Sequence, residues 1–460
     1  MKAIIRTAVL MLAAAAMQPG TARADDVATL RAELDGLKSE YESRIAALEA
    51  RIAQLESQPS VASVPAPSAP PPAPASSGGP GTAFNPAMSV ILAGTYAHLS
   101  EDPASYRIAG FIPSGADAGP GARSFNLGES ELTFSANVDP YFYANLTAAL
   151  TADNSISAEE AYFRTTALTH GFTVKGGRFF AGIGYLNEVH AHAWDFVDQP
   201  LVYQAFLASQ LAEDGVQAKW LAPTDIFIEV GVEIGNGDAF PGTRRTANGV
   251  NGGAAFVHVG DDIGDSASWR AGVSWLDRQA ENRSYTDDDG SGQAVTNAFS
   301  GSSQTWIADA TFKWAPHGNP TERLLKLQAE YMRRTEDGTL LYDVSGANAG
   351  GDYRSTQSGW YVQGVYGFLR RWRTGLRYDY LDAGAAHIGL VADGQLPAAA
   401  FPVLASASPR RVTWMVDWSP SEFSRLRMQY AWDDARGTVH DQQLILQYLY
   451  SIGAHGAHKY

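Results

Sequence analysis

The chain has 460 residues, a formal net charge of −15 and no cysteine. The lack of thiols excludes a disulfide scaffold and a thiolate metal site. The acidic balance excludes nucleic acid as the partner.

Residues 1–24 read as a secretory signal peptide. Lys2 and Arg6 form its charged start, Ala8 to Met17 its apolar core, and Ala22-Arg23-Ala24 a small-x-small cleavage site. The apolar core is too short to span a bilayer, and no later run approaches the ~18 apolar residues that a transmembrane helix needs. An exported chain of this kind is periplasmic, secreted or an outer-membrane barrel.

Residues 25–58 follow a different rule. Val27, Leu30, Leu34, Leu37 and Tyr41 step by three and four, and Ile45, Leu48, Ile52 and Leu55 resume the stripe one residue out of phase. A stripe this narrow needs partner helices, which predicts a short α-helical coiled coil. Isoleucine on its seam leans toward trimers. A solvated amphipathic helix is the alternative. Residues 59–83 are rich in Pro, Ala and Ser and carry no charge, so they form an extended, semi-rigid linker.

From Phe84 to Tyr460 one pattern repeats: apolar and polar residues alternate over about ten positions, then a turn follows. Ile226, Ile228, Val230, Val232 and Ile234 share one face while Glu229 and Glu233 share the other. Trp306, Ala308, Ala310, Phe312 and Trp314 oppose Asp309, Thr311 and Lys313. Val412, Trp414, Val416 and Trp418 oppose Arg411, Thr413 and Asp417. Leu426, Met428, Tyr430 and Trp432 oppose Arg425, Arg427 and Gln429. Aromatics near the ends of the apolar faces, with full charges opposite, predict an all-β transmembrane antiparallel barrel rather than a soluble sandwich. About sixteen strands are expected. Short turns fall at 139–140, 168–170, 223–224 and 419–420, and long loops at 99–123, 180–213, 236–251, 277–302, 336–354 and 383–409. By the barrel rule the short turns are periplasmic, which places the coil and linker in the periplasm of a Gram-negative cell.

The strand count, the folded long loop at 180–213 and the aromatic Tyr460 resemble general Gram-negative porins. The coil ahead of the barrel resembles the coiled-coil-bearing trimeric porins, including the dicarboxylate-type porins and, more distantly, the phosphate-selective group. That resemblance implies a trimeric channel in outer-membrane lipid, assembled through residues 25–58 and the barrel wall, with small hydrophilic solutes diffusing through it. The chain departs from phosphate-selective porins in having only seven lysines.

The candidate constriction is the 180–213 loop, with Glu188, His190, His192, Asp195 and Asp198. Arg373, Arg377, Arg411, Arg425 and Arg427 fall on lumen faces as a basic patch. Glu129, Glu131, Glu160, Glu229 and Glu233 form an acidic side. Acid facing base sets a transverse field that aligns dipolar or charged solutes; alternatively the two sets pair along the wall and rigidify it. His190 and His192, two apart on an extended segment, share a face with Glu188 and suit a divalent metal such as zinc. His455 and His458 form a second pair. The same histidines also suit hydrogen bonds that fix the loop. No cofactor is required for the channel. Tyr185, Trp194, Phe196, Tyr203 and Phe206 are loop anchors or a stacking surface for sugars. No G-x-S-x-G, H-E-x-x-H or P-loop occurs, so an enzyme is not expected. Two other functions stay open: a zinc-linked uptake protein, or TonB-dependent-receptor-like barrel without a plug, and a barrel that tethers the envelope through its coil.

Overall fold

The computed structural model describes residues 86–115, 118–152, 155–243 and 248–453. The expected signal peptide, coil and linker, and the His455 and His458 pair, lie outside the described residues.

The described chain is almost entirely antiparallel sheet. In order, the strands are β1 (Ala87–Leu99), β2 (Ser124–Leu127), β3 (Ser130–Asn137), β4 (Phe142–Leu150), β5 (Ile156–Thr165), β6 (Phe172–Phe180), β7 (Ala212–Leu221), β8 (Phe227–Gly235) and β9 (Gly252–Ile263). They continue as β10 (Ala267–Asp288), β11 (Ala294–Trp314), β12 (Leu324–Tyr342), β13 (Ala349–Leu369), β14 (Trp372–Asp382), β15 (His387–Ile388), β16 (Arg410–Ser421), β17 (Ser424–Asp433) and β18 (Asp441–Gly453). Each spanning strand pairs with the next. β1 pairs with β18 on one edge (Thr95↔Gln447) and with β2 and β3 on the other (Gly94↔Leu127, Ile91↔Glu131), so the sheet closes on itself. β2 and β3 act as one strand interrupted at Gly128 and Glu129, and β15 is a two-residue strand on β13. The described barrel therefore has sixteen spanning strands.

The alternation read from the sequence is the in-out alternation of this wall. Val232, Trp306 and Leu376 are more than half exposed on the outside, whereas Glu233, Asp309 and Arg377 on neighbouring positions are buried within. An apolar exterior around a charged interior is the arrangement a bilayer-spanning barrel requires, because lipid cannot solvate charge.

Two expected loops are corrected. Residues 277–302 and 336–354 are largely strand: β10 to β13 run for 19 to 22 residues each, about twice the ~9–11 that cross a membrane. They continue because alternation continues. Arg278, Tyr285, Phe299, Leu340 and Tyr353 turn inward along the extension and are buried. The projecting wall is covered from inside by residues of the 383–409 loop, Leu390, Ala400, Phe401, Val403 and Leu404, with Ile112 from the first long loop.

Between β6 and β7, residues 181–211 fold into the barrel. Asn187 ties the base of this inward loop: its amide donates to the Ala181 and Leu211 carbonyls and its Oδ1 accepts from Leu211 N at 2.8 Å. Helix α1 (Leu201–Leu207) begins after Pro200 and ends at Ala208, which takes a left-handed conformation (φ 49°). All seven helix residues are buried. They pack with Ile108 and Phe111 of the first long loop and with Phe256, Leu276, Ile307, Met332 and Tyr361 of the β9–β13 wall. One side of the lumen is thus filled by an apolar core, and the loop is held against it.

Candidate functional site

The inward loop meets the wall in two chemically opposite stretches. In the first, Glu188 lies 3.2 Å from Lys219 and 3.9 Å from Lys175. His190 Nε2 lies 3.1 Å from Glu160, and its Nδ1 lies 3.4 Å from both Glu131 and Glu159. His192 Nδ1 contacts Glu131 at 2.7 Å. A 3-10 turn at Ala191–Ala193 places the two imidazoles in a stack, centroids 5.8 Å apart. Burial alone would lower the His190 pKa; the surrounding Glu131, Glu159 and Glu160 carboxylates outweigh it and hold the pKa well above the usual range.

In the second stretch the charges reverse. Asp195 accepts from Lys326 at 2.9 Å and from Arg373 at 3.1 Å. Asp198 accepts from Arg377 at 3.0 Å and Gln429 at 2.9 Å, and pairs with Arg411 at 2.7 Å. Burial would raise both aspartates, but the adjoining cations hold them below the ordinary carboxylate range. Backbone atoms join in: Arg427 donates to the Trp194 carbonyl at 2.8 Å, Arg411 to the Gln199 carbonyl at 2.7 Å, and Arg425 to the His192 carbonyl at 3.4 Å.

The loop's far end is seated by Glu330, which accepts from the Tyr185 and Leu186 amides at 3.0 and 3.2 Å, the Tyr203 hydroxyl at 2.8 Å and the Tyr361 hydroxyl at 2.6 Å. Phe196, Tyr203 and Phe206 are fully buried, and the Arg377 guanidinium stands over the Phe196 ring, 4.7 Å from its centroid. These aromatics act as anchors.

Several expectations change. Asp195 and Asp198 sit on the arginines, and Arg373 and Arg377 also pair with Asp417 (2.6 Å) and Asp379 (3.0 Å) of the same wall. The basic patch is therefore largely neutralised in place, which weakens the expected transverse field. The cause is desolvation: guanidinium groups shut from water in a narrowed lumen must find acceptors. Glu188 does not share a face with His190 and His192; it turns to the lysines of β6 and β7. Of the acidic side, Glu131 and Glu160 meet the histidines, and Glu129 lies against Glu159. Glu229 lies 3.3 Å from His258 and 3.5 Å from Lys219, and Glu233 accepts from Gly182 N at 2.7 Å and Gln217 at 2.6 Å.

Sequence reading missed Glu159, because strict alternation turns it outward when Glu160 faces in. The β4–β5 register shifts at Thr147/Ala148: Glu160 pairs with Thr147 and Ala158 with Ala148, leaving Glu159 as an extra residue. This bulge brings both carboxylates to His190. Lys326 was also missed, although its inward position followed from the β12 alternation.

Beneath the loop, at the short-turn end, lies an open vestibule of about 930 Å³. Its walls carry both signs: Glu131, Glu160, Glu188, Asp195, Asp262 and Asp265 against Lys175, Lys313, Lys326, Arg373 and Arg425, with His190 and His192 between.

No protein-family model matches the chain. An uncharacterized protein of Aquifex aeolicus (strain VF5) is 31% identical over 357 residues, covering 74% of this chain and 70% of the relative. Among solved structures, the in-vitro folded trimer form of OmpT, an outer membrane protein of Vibrio cholerae, aligns with a TM-score of 0.50 at 12% identity, over 80% of this chain and 99% of that one. The outer membrane channel DcaP of Acinetobacter baumannii aligns with a TM-score of 0.48 at 13% identity, over 80% and 97%. At such low identity the likeness to OmpT shows a shared fold.

Proposed function

We propose that this chain, which belongs to the same family as the Aquifex aeolicus protein and has the closed-barrel fold of outer-membrane porins, is a channel for passive diffusion of small hydrophilic solutes. The observation that carries the reading is the vestibule of about 930 Å³ beneath the inward loop, lined by charges of both signs. A lumen-facing cavity of this polarity solvates ions and polar solutes inside a barrel whose exterior solvates lipid.

The inward loop is the selective element of this channel. Its α1 side is packed against β9 to β13, so the route past it runs along β3 to β8, beside Glu160, Lys175, Glu188, His190 and Lys219. Six carboxylates face five cationic groups, three lysines and two arginines, in the vestibule, and this near balance gives weak ion selectivity. The chain acts as a channel rather than an enzyme. It sits in the outer membrane, with residues 25–58 in the periplasm. Three copies assemble through the isoleucine-bearing stripe of that segment and through the barrel wall. An apolar groove on the exterior of that wall, bordered by Tyr96, Phe125, Trp418 and Tyr448, suits such a contact.

Single-channel recording of the purified full-length chain in a planar bilayer tests the reading. Stepwise currents at neutral pH, of low conductance because the loop and its core fill much of the lumen, are the expected result. A folded, inserted protein that passes no current overturns it.

A further inference from the structure

We propose that Glu131, Glu159 and His190 form a binding site for a single divalent transition-metal cation of the zinc type, which bridges the inward loop to strands β3 and β5. One ligand atom from each of the three residues lies within 4.8 Å of the other two. The His190 Nδ1 distances to Glu131 Oε2 and Glu159 Oε2 are both 3.4 Å. A tetrahedral zinc with bonds of about 2.1 Å sets its ligand atoms about 3.4 Å apart. The wall therefore already holds two edges of that tetrahedron.

The hydrogen-bonding state of the atoms points the same way. His190 Nδ1 and Glu159 Oε2 are both shut from solvent, and beyond the 3.4 Å ion-pair approach among His190, Glu131 and Glu159 neither makes a well-formed hydrogen bond among the described residues. Polar atoms so placed are costly to leave unmet. The other ring nitrogen is occupied: His190 Nε2 lies 3.1 Å from Glu160. When a metal displaces the Nδ1 proton, the proton that remains on Nε2 is donated to Glu160 and the freed Nδ1 lone pair points between the two carboxylates. This is the carboxylate–histidine pairing that orients metal-bound imidazoles. His192 does not complete the ligand set. Its Nδ1 contacts Glu131 Oε1 at 2.7 Å, which fixes that carboxylate and leaves Oε2 toward His190.

The donor set selects the ion class. One imidazole with two carboxylates suits zinc and its first-row neighbours, whereas calcium takes six to eight oxygen ligands. The extra residue in β5 is what makes the set possible, because it turns Glu159 to the same side as Glu160. The site does not depend on conduction: a barrel that passes no current still binds the ion if the ligands are as described.

Isothermal titration of the detergent-solubilised full-length protein with Zn²⁺, and separately with Ca²⁺, is the test. One Zn²⁺ per chain is expected, with no comparable Ca²⁺ binding. His190→Gln and Glu159→Gln each weaken zinc at least tenfold, and Glu160→Gln, which acts through the imidazole, weakens it about tenfold. Replacing His455 and His458 by alanine leaves that binding unchanged. Wild-type protein that takes up no Zn²⁺, a Glu159→Gln variant that binds as wild type does, or binding that vanishes with the His455 and His458 pair would each overturn the proposal.

Discussion

The two stretches of the inward loop solve one problem with opposite chemistry. Around residues 188–192 the loop offers histidines to a wall of glutamates. Around 195–198 it offers aspartates to a wall of arginines and a lysine. The glutamate wall comes from β3 and β5, the cationic wall from β12, β14 and β16. A loop with histidines only would leave Arg377 and Arg411 short of acceptors, and one with aspartates only would set like charge against Glu131 and Glu160 in a low-dielectric interior. The loop's sequence is thus matched to the barrel's charge map, residue by residue, and each stretch has its own pH limit.

The largest effect is expected on the aspartate side. Asp198→Ala leaves Arg377 and Arg411 buried with one acceptor fewer each, which costs about 3–5 kcal/mol for a broken buried pair. Thermal melting should show a clear loss of stability, and single-channel recordings a raised, noisier conductance as that stretch leaves the wall. An unchanged conductance would separate the aspartate contacts from loop position.

A pH series divides the stretches. Because the His190 pKa is raised on folding, its contribution is full below about 6.5, the free imidazole value, and is lost as pH rises through the raised value. Because the Asp195 and Asp198 pKa values are lowered, their contribution is full above about 3.9 and is lost as pH falls through the lowered values. Spin labels on Ala191→Cys and Val197→Cys, each a sole cysteine, should gain mobility in alkali and in acid respectively, with metal chelated throughout.

Smaller effects mark the periphery. Tyr203→Phe removes one donor from Glu330 and is expected to cost about 1–2 kcal/mol, read as faster hydrogen exchange confined to α1. Glu188→Gln breaks a partly exposed pair with Lys219, worth at most about 1 kcal/mol. It should leave loop mobility unchanged and shift the reversal potential slightly toward anions.

Much of the barrel was legible because a two-residue period is a direct image of an in-out wall: faces such as Ile226 to Ile234 and Trp414 to Trp418 appear where alternation places them. The extended hairpins were not, since Gly, Ser and Asp at 287–293 and 300–303 read as loop while the alternation of Arg278, Tyr285 and Phe299 continues through them. The inward loop and its charged residues were visible, but their partners were not. Pairing Asp198 with Arg411 joins positions more than two hundred residues apart, and only closure of the barrel brings them together. Glu159 escaped for a local reason, a one-residue bulge that no period reveals.

The loop is seated across the lumen against the wall. Val197 packs against a small cluster of Ala97, Leu99 and Ile445. A Val197→Cys, Ile445→Cys double variant, in a chain that has no other cysteine, tests the seating in the membrane. The disulfide should form readily on mild oxidation, with the same single-channel conductance before and after. Failure of the two thiols to join, or a fall in current when they do, would contradict that seating.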